Sequence, residues 1–281
     1  MNKKRVYILT FDIEDWFHTF NKRFYKKAEK WKILPARLEK NTEKICTFLS
    51  ENQLKATFFW LGWEAERYPK LVKKLAAEGH EIAAHSFYHK KTYDVSRKAF
   101  RKDTEKVIKT LEDLTGKKVK TYRAPGMTIN ENTLWALDIL HELGIQNDSS
   151  VVAIKKSKFP SAPFLFLHNG IKTKEFPVPT VSVFGRKFNY SSSGYFRIVP
   201  FSWIKRKMNK TDYMLFYFHP RDFDSEMPRH VPNDPILKIR YGIGVNHSLS
   251  KLEKLTNTFH FINMEEAEGQ INWEKAPIVI V

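Results

Sequence analysis

The sequence predicts an α/β fold in the form of a barrel, with a region of loops and hairpins inserted into its framework. Short β-rich runs alternate with amphipathic helical stretches along the first half of the chain, which is the pattern of repeated strand and helix units. Five or more such units occur without a glycine-rich dinucleotide-binding loop, and this favours a barrel over a doubly wound sheet. No apolar run approaches the roughly 18 residues that a transmembrane helix needs.

The strands are predicted from short β-rich or apolar runs bounded by polar residues, proline or glycine. The first run begins at Val6 and ends where acidic residues begin. The predicted strands are residues 6–11, 56–61, 81–84, 119–122, 145–147, 213–218 and 259–262. Between residues 151 and 200 the pattern breaks into a stretch rich in Pro, Gly and Ser, which predicts the inserted hairpins and loops.

The helices are predicted from apolar positions at helical spacing together with start and stop residues. Pro35 begins the first helix, Ser96 begins the longest one, and Gly79, Gly116 and Gly144 each follow the end of a helix. The predicted helices are residues 35–53, 68–77, 96–115, 131–143 and 248–256. The amphipathic patterning places their apolar faces on the sheet.

The chain is strongly basic. Its 48 Lys and Arg residues outnumber its 31 Asp and Glu residues, which gives a formal net charge of +17. Such a charge suits a nucleic acid, an acidic membrane surface or a phosphorylated substrate. The basic residues are scattered over helical segments, where they also fit a solvated face, and no helix-turn-helix, zinc-finger or aromatic single-strand motif is present. We therefore expect no nucleic-acid partner, and the sequence leaves the oligomeric state open.

Residues 1–16 are interpreted as a polar start followed by the first strand rather than as a signal peptide, because their apolar run is too short. This interpretation and the net charge of +17 predict a cytoplasmic protein that acts at the inner membrane surface. Its basic faces would be attracted there to anionic lipid head groups or to the pyrophosphate of a lipid carrier.

The residues that can carry chemistry lie at the ends of predicted strands. In a parallel barrel these ends share one face, which is where barrel enzymes place their active sites. The strand ends read Asp12-Ile13-Glu14-Asp15, His85-Ser86-Phe87-Tyr88-His89, Arg123-Ala124-Pro125-Gly126, Asp148-Ser149-Ser150 and His219-Pro220. Two histidines four residues apart and a carboxylate make a three-ligand site with an open position, the arrangement of a catalytic zinc.

This ordered set resembles the polysaccharide deacetylases of carbohydrate esterase family four, the nodulation-factor deacetylase homology family. The segments TFDIEDWFH, KATFFWLGWEAERYPKLVKKLAAEGHEIAAHS, TYRAPGMTI, SSSGYFR and FYFHPRDFD look like the bacterial subfamily found with exopolysaccharide, capsule and O-antigen biosynthesis. The resemblance covers nearly the whole chain. It implies a single catalytic domain over residues 1–281 and a distorted barrel of about seven βα units.

The resemblance also implies the reaction, which is metal-dependent removal of an N-acetyl group from a sugar of a polysaccharide or of its lipid-linked precursor. Carried over to this sequence, Asp12 is the general base, and His85 and His89 bind the metal. Arg123 orients Asp12 and keeps it ionised, Asp148 holds the imidazole of His219, and His219 protonates the departing amine. Zinc is the expected metal, and cobalt, nickel and manganese also suit histidine and carboxylate ligands.

The sequence departs from the commonest family pattern, in which two adjacent aspartates precede a glycine. Here Ile13, Glu14 and Asp15 follow Asp12, which leaves two candidates for the carboxylate ligand. Asp12 and Glu14 point to the same face of an extended strand, so Glu14 is favoured. Asp15 is the rival, with helix capping as its structural alternative.

A second departure is Gly126, because many relatives carry an aromatic residue there. Pro125 and Gly126 lie in a loop expected to lend a backbone N–H to the oxyanion, and glycine keeps that donor. Aromatic residues near the strand ends are candidates for a platform under the sugar and the acetyl methyl group, with core packing as the alternative. They are Trp16, Phe17, Phe87, Tyr88, Tyr195 and Phe196.

Three further functions are weighed against N-deacetylation of a glycan. The same fold and motifs also suit hydrolysis of a small non-glycan amide or cyclic imide. An inactive glycan-binding protein is the second alternative, and it is disfavoured because base, ligands and acid are all present. A nucleic-acid binder is the third, and only the net charge supports it.

Overall fold

The computed structural model describes residues 5–19, 28–153, 159–183, 186–227 and 235–281. A large β-sheet forms the centre of the fold, and helices pack around this sheet. The strands are β1 (Val6–Ile13), β2 (Thr57–Trp60), β3 (Glu81–Ala84), β4 (Thr121–Tyr122), β5 (Asn147–Asp148), β6 (Phe164–His168), β7 (Ile171–Glu175), β8 (Val181–Val183), β9 (Arg186–Phe188), β10 (Tyr213–Phe218) and β11 (Ile278–Ile280). The helices are α1 (Ala28–Trp31), α2 (Leu38–Glu51), α3 (Gly62–Arg67), α4 (Pro69–Ala77), α5 (Arg97–Thr115), α6 (Trp135–Glu142), α7 (Ser193–Ile198), α8 (Phe201–Met208), α9 (Pro235–Gly242), α10 (Ser248–Thr256) and α11 (Met264–Gln270).

The large sheet has nine strands in the order β10-β1-β2-β3-β4-β5-β7-β6-β11. The first seven in this order are parallel to their neighbours. β6 is antiparallel to β7, and β8 pairs with β9 in a separate hairpin, so the hairpins predicted between residues 151 and 200 are present. Because seven strands run in the same direction, their carboxyl ends gather the predicted site residues on one face of the sheet.

β1 lies between β10 and β2 in the sheet, and all eight of its residues are buried. It pairs with β10 through the register Val6↔Tyr213 and with β2 through Thr10↔Thr57. A continuous apolar run of this kind is typical of a parallel strand covered on both faces.

The side chains of β1 alternate between two hydrophobic clusters. Tyr7, Leu9, Phe11 and Ile13 belong to the larger cluster, which contains the apolar sides of the helices. Val6 and Ile8 belong to the smaller one, which also holds residues of β2, β3 and β10. Thr10 and Asp12 continue the row of Val6 and Ile8 because strand side chains repeat every two residues. The smaller cluster therefore forms the floor beneath the site.

Several predicted elements differ from those in the structure. The helix predicted over 131–143 is shorter, because Thr133 Oγ1 accepts a hydrogen bond from the backbone N–H of Asn130 and donates one to the Thr128 carbonyl. The strand predicted over 259–262 is reduced to a single bridge between Ile262 and Ile8. Helix α3 and the short helices α1, α7, α9 and α11 were not predicted. Among the described helices none is long and apolar enough to cross a bilayer.

Candidate active site

Glu14 lies between two histidines at the carboxyl end of β1. Glu14 Oε1 is 3.0 Å from His85 Nε2 and 3.0 Å from His89 Nε2. One ligand atom from each of the three lies within 4.8 Å of the others. Two imidazoles and one carboxylate form a donor set that fits zinc and related divalent ions, with a coordination position left for substrate or water. The position of Glu14 beside both histidines supports it as the carboxylate ligand that the sequence left open between two acids.

The charge around Glu14 keeps its carboxyl group ionised. Burial alone raises the pKa of Glu14, but the charges of His89, Arg221 and His219 outweigh it, and the pKa lies well below its usual value. Arg221 Nη1 donates to Glu14 Oε2 at 3.0 Å. This arginine follows His219 by two residues and was not predicted from the sequence.

Asp15, the rival carboxylate, is not among the described residues that could hold a metal, and it makes backbone hydrogen bonds instead. Its oxygens accept hydrogen bonds from the backbone N–H groups of Trp16 at 2.7 Å, Arg37 at 2.7 Å and Leu38 at 3.1 Å. Arg37 and Leu38 stand at the amino end of α2, whose own N-cap side chain makes no capping bond. Asp15 is therefore the cap of α2, supplied from another segment.

The loop from His85 to His89 has an unusual backbone that other elements hold in place. Ser86 has φ 63° and His89 has φ 53°, left-handed values that cost free energy in residues other than glycine. Asp103 of α5 accepts hydrogen bonds from Ser86 Oγ and Phe87 N, both at 2.7 Å. These bonds fix the loop before any ligand arrives.

Helix α3 supports the same loop from the other side. The backbone N–H groups of Gly62 and Trp63 donate to the carbonyls of Ser86 and Phe87, each at 3.1 Å. A Cβ atom on Gly62 would lie 2.2 Å from Phe87 Cδ2, so only glycine permits this approach. The position of Phe87 between the two histidines thus depends on Gly62.

His85 is oriented through its second ring nitrogen. Nδ1 lies 2.7 Å from the Arg123 carbonyl oxygen, which can only accept a hydrogen bond. Nδ1 therefore carries the proton when the ring is neutral, and Nε2 presents its lone pair towards Glu14 and a metal.

Arg123 is fully buried and contacts Asp12, as expected. Its Nη1 donates to Asp12 Oδ1 at 2.6 Å and to Thr10 Oγ1 at 2.9 Å. Nη2 and Nε donate to Ser149 Oγ at 2.9 Å and to the Ser149 carbonyl at 3.2 Å. The guanidinium is held on both sides, so it fixes one oxygen of Asp12 and leaves the other towards the site.

His219 faces both carboxylates of β1. Its Nε2 is 3.9 Å from Asp12 Oδ2 and 3.9 Å from Glu14 Oε1. Its Nδ1 lies 2.8 Å from Ser193 Oγ and 3.2 Å from Asp222 Oδ2. Asp222 Oδ2 also accepts the His219 backbone N–H at 2.7 Å, so one carboxylate fixes both the backbone and the ring of His219.

The expected contact between Asp148 and His219 is absent from the described structure, and Asp222 takes that position. Asp148 Oδ1 accepts from Ser150 Oγ at 2.6 Å, and Asp148 also contacts the buried Glu175. Burial raises the pKa of Glu175 well above its usual value, and the charge of Asp148 raises it further. Burial raises the pKa of Asp148 as well, so the two neighbouring acids both hold a proton more readily than usual, and Glu175 is the more strongly affected. The sequence did not single out Glu175.

The predicted aromatic platform is mostly core. Trp16, Phe17, Phe87 and Phe196 are each at most 2% exposed, and Trp16 Nε1 donates to the Pro35 carbonyl. They cannot present a face to a sugar. Tyr88 and Tyr195 are 37% and 53% exposed and remain available.

The loop after β4 keeps an exposed turn beside the site. Gly126 has φ +67°, where a larger residue would be strained. Pro125 is buried, and its carbonyl accepts from Thr128 Oγ1 at 2.9 Å. The backbone N–H of this loop as an oxyanion donor stays a prediction.

His18 belongs to the buried surroundings of the site. Its Nδ1 accepts the Asp15 backbone N–H at 3.0 Å, and its ring packs against Trp31 and Trp63. Its Nε2 lies 3.6 Å from Glu64 Oε1. Burial raises the pKa of Glu64 well above its usual value, and the charge of Asp15 raises it further. Through its bond to the Asp15 backbone N–H, His18 stabilises the turn next to Glu14.

Comparison with known families matches the polysaccharide deacetylase family over residues 1–147 and a domain of unknown function, DUF3473, over residues 149–268. The peptidoglycan-N-acetylglucosamine deacetylase of Bacillus cereus is 32% identical over 136 residues, which are 44% of this chain and 50% of that protein. A chitooligosaccharide deacetylase of Rhizobium leguminosarum bv. trifolii is 25% identical over 146 residues, 48% of this chain and 67% of that protein.

Solved structures share the fold at low identity. A "putative polysaccharide deacetylase" from Mycobacterium smegmatis aligns with a TM-score of 0.68 and 16% identity, covering 100% of this chain and 96% of that one. A CE4 family pseudoenzyme from Bacillus anthracis aligns with a TM-score of 0.52 and 13% identity, covering 95% of this chain and 66% of that one. The fold is therefore the distorted α/β barrel of the CE4 deacetylases.

Fold and site together define an α/β barrel protein with a candidate divalent-metal site beside an aspartate paired with an arginine. The family match covers more than half of the chain, from residue 1 to residue 147. The chain belongs to the polysaccharide deacetylase family, carbohydrate esterase family four, with a DUF3473 region after residue 148.

Proposed function

We propose that the protein is a metal-dependent N-deacetylase that removes acetyl groups from an N-acetylated sugar of a polysaccharide or of its lipid-linked precursor. The observation that carries this proposal is the convergence of two histidines, a metal-binding carboxylate, a separate arginine-held carboxylate and a third histidine at one face. Hydrolysis of an amide needs these parts: a metal, a base for water and an acid for the amine.

Each residue has a distinct task in the proposed reaction. A divalent metal held by Glu14, His85 and His89, zinc first among the candidates, supplies a Lewis acid for water and for the acyl carbonyl. Asp12 takes a proton from the attacking water through the oxygen that Arg123 leaves towards the site. His219 donates a proton to the amine nitrogen as the C–N bond breaks, which yields acetate and a free amino sugar.

Asp222 replaces Asp148 as the residue that positions His219 in this proposal. Burial alone would raise the pKa of Asp222, but the hydrogen bond and the charge of His219 outweigh burial and lower the pKa to about 2. Asp222 is therefore ionised whenever His219 works, and it stabilises the charged imidazolium. Ser193 gives the same ring nitrogen a second contact.

An inactive glycan-binding protein is the second candidate, since a CE4 pseudoenzyme shares the fold. The intact set of base, ligands and acid supports the enzyme.

We further propose that the protein belongs to the bacterial exopolysaccharide, capsule and O-antigen subfamily, that residues 1–281 form a single domain, and that the protein acts in the cytoplasm at the inner membrane surface. The strongest support for the single domain is the pairing of β1, in the first family segment, with β10, in the second.

The test is hydrolysis by the zinc-loaded protein of N-acetylated sugar oligomers, with small cyclic imides in parallel. We expect acetate release from the sugars, its loss on chelation and its return with added metal. Release from cyclic imides alone would assign the alternative amide hydrolase. Sugar binding with no turnover under any metal would assign a binding protein.

A further inference from the structure

A cavity of about 570 Å³ opens beside His219 and Arg221, and its described lining does not include Glu14, His85 or His89. Its walls come from α7, the end of β10 and the segment around residue 241, which lie in the DUF3473 region. This volume is in the range of sites that enclose a substrate larger than one sugar ring. The lining residues are Thr19, Ser192, Ser193, Gly194, Tyr195, Arg197, Ile198, Tyr217, His219, Arg221, Asp222, Tyr241 and Ile243.

Large apolar side chains stand exposed at this cavity. Tyr195, Ile198 and Ile243 line it and are 53%, 62% and 45% exposed. Ile239 is 60% exposed and lies one helical turn before Ile243, whose backbone N–H donates to the Ile239 carbonyl. We call these four residues the apolar rim. Isolated exposed apolar residues are ordinary, but a group beside a cavity marks a surface that an apolar partner covers.

The wall beneath the apolar rim is positively charged. Arg197 and Arg221 both line the cavity, and Arg221 also donates to Glu14 through Nη1. Asp222 is the one acidic residue of the described lining, and it contacts His219. Arg197 Nη1 donates to the Tyr241 carbonyl at 2.8 Å, which fixes its position in the wall. Two guanidinium groups held in a concave surface attract phosphate more strongly than a neutral sugar.

We propose that this cavity binds an amphiphilic substrate, in which the N-acetylated sugar is joined through phosphate to a long apolar chain. The sugar lies at His219, the phosphate at the arginines and the chain over the apolar rim. This inference rests on the proposed deacetylase function and names its substrate class. A purely saccharide substrate would leave the isoleucines of the rim without a matching surface, because sugars pack on aromatic faces and bind polar side chains.

The test measures binding rather than turnover, so it is independent of deacetylase activity. The probe is geranylgeranyl diphosphate, titrated into the full-length protein by calorimetry, with inorganic pyrophosphate and a neutral glycoside of the same chain for comparison. We expect geranylgeranyl diphosphate to bind at least about tenfold more tightly than inorganic pyrophosphate or the neutral glycoside. A tenfold gain in affinity needs only one buried apolar group or one charged hydrogen bond.

The variants identify where the chain binds. Ile198→Ser with Ile243→Ser should weaken binding of geranylgeranyl diphosphate by about tenfold or more. Ile280→Ser is the matched control, because Ile280 is 79% exposed on β11 and lies outside the cavity lining. All three side chains are exposed, and thermal unfolding checks that each variant folds.

Three results would overturn the proposal. Unchanged affinity in the double variant would show that the apolar rim binds no chain, and an equal loss in Ile280→Ser would indicate general adsorption. If the double variant loses binding only to anionic phospholipid vesicles and keeps geranylgeranyl diphosphate, the rim contacts a membrane and not the substrate. Acetate release from soluble sugars in any of these cases would leave the deacetylase proposal standing.

Discussion

Asp12 and Glu14 are two residues apart on the same side of the chain, yet they contact different cations. Arg123 binds Asp12 from within the barrel, whereas His85, His89 and Arg221 surround Glu14 at its mouth. Two carboxylates so close keep separate roles only if each has its own positive partner.

Asp12→Asn should retain the metal and lose about a hundredfold or more in kcat, as expected when a general base is removed. Glu14→Gln should instead lose the metal, because an amide is a poor ligand and adds no negative charge. Metal content and kcat measured on the same preparations separate the two roles. Normal metal occupancy in Glu14→Gln would contradict the site.

Asp222→Asn should lower kcat on an N-acetyl sugar by about tenfold to a hundredfold, because the imidazolium of His219 loses its charged partner. An activated acetate ester, whose leaving group needs no proton, should be affected far less. Asp148→Asn is the control and should lack this leaving-group dependence. The same dependence in both variants would restore Asp148 to the role that the resemblance implied.

The sequence predicted which residues meet at the site, but it did not predict all of their contacts. Strand ends on one face bring Asp12, Glu14, His85, Arg123 and His219 together whatever the side-chain rotamers are. Which acid reaches His219 depends on rotamers and on the local turn, and these are not visible in strand patterning. The signal that was available is the three-residue spacing from His219 to Asp222, which resembles a capping box.

At the scale of elements, helices α2, α3 and α5 each contact and support a loop of the site. The N-terminal amides of α2 bind Asp15, next to Glu14, and α5 supplies Asp103 to the loop of His85 and His89. The positions of α2, α4, α5 and α10 were predicted from apolar spacing. Helix α3 was missed because its six residues are too few for a periodic pattern, and its role depends on contacts distant in sequence.

Asp15→Ala should destabilise the protein by about 1–3 kcal/mol, because buried N–H groups at the start of α2 lose their acceptor. The metal content should remain near that of the wild type. Urea unfolding and metal analysis check the two parts of this prediction. Loss of metal with unchanged unfolding free energy would make Asp15 a ligand after all.

Gly62→Ala should destabilise the protein by about 1–3 kcal/mol through overpacking against Phe87, and it should weaken metal binding. Gly269→Ala in α11 is the matched control, because a Cβ there meets nothing within 4 Å. The control should be neutral or slightly stabilising. Metal titration of both variants tests the link between α3 and the histidine loop, and equal metal affinity in the two would break it.

For the whole molecule, the pH dependence of stability has a component from His80, which lies directly before β3. Burial lowers the pKa of His80 from 6.5 to about 4, and its Nδ1 accepts the Ala56 backbone N–H. Between these values the unfolded chain binds a proton that the folded chain does not. The contribution is complete above pH 6.5 and is lost as the pH falls towards 4.

Between pH 7 and pH 5 this component should lower the unfolding free energy by about 2 kcal/mol. His80→Asn cannot titrate, so its unfolding free energy should fall by that much less over the same range. Urea denaturation of both proteins at the two pH values gives the difference directly. Parallel pH profiles would assign the pH dependence to other groups.

The two family segments share one sheet, which has a consequence for synthesis of the chain. Val6 of β1 pairs with Tyr213 of β10, so β1 leaves the ribosome about 10–40 s before its partner at ordinary translation rates. During that interval one edge of an apolar strand has no neighbour. We expect the nascent chain to bind chaperones until residue 218 emerges. Folding should be late and slow because the paired strands β1 and β10 are so distant in sequence.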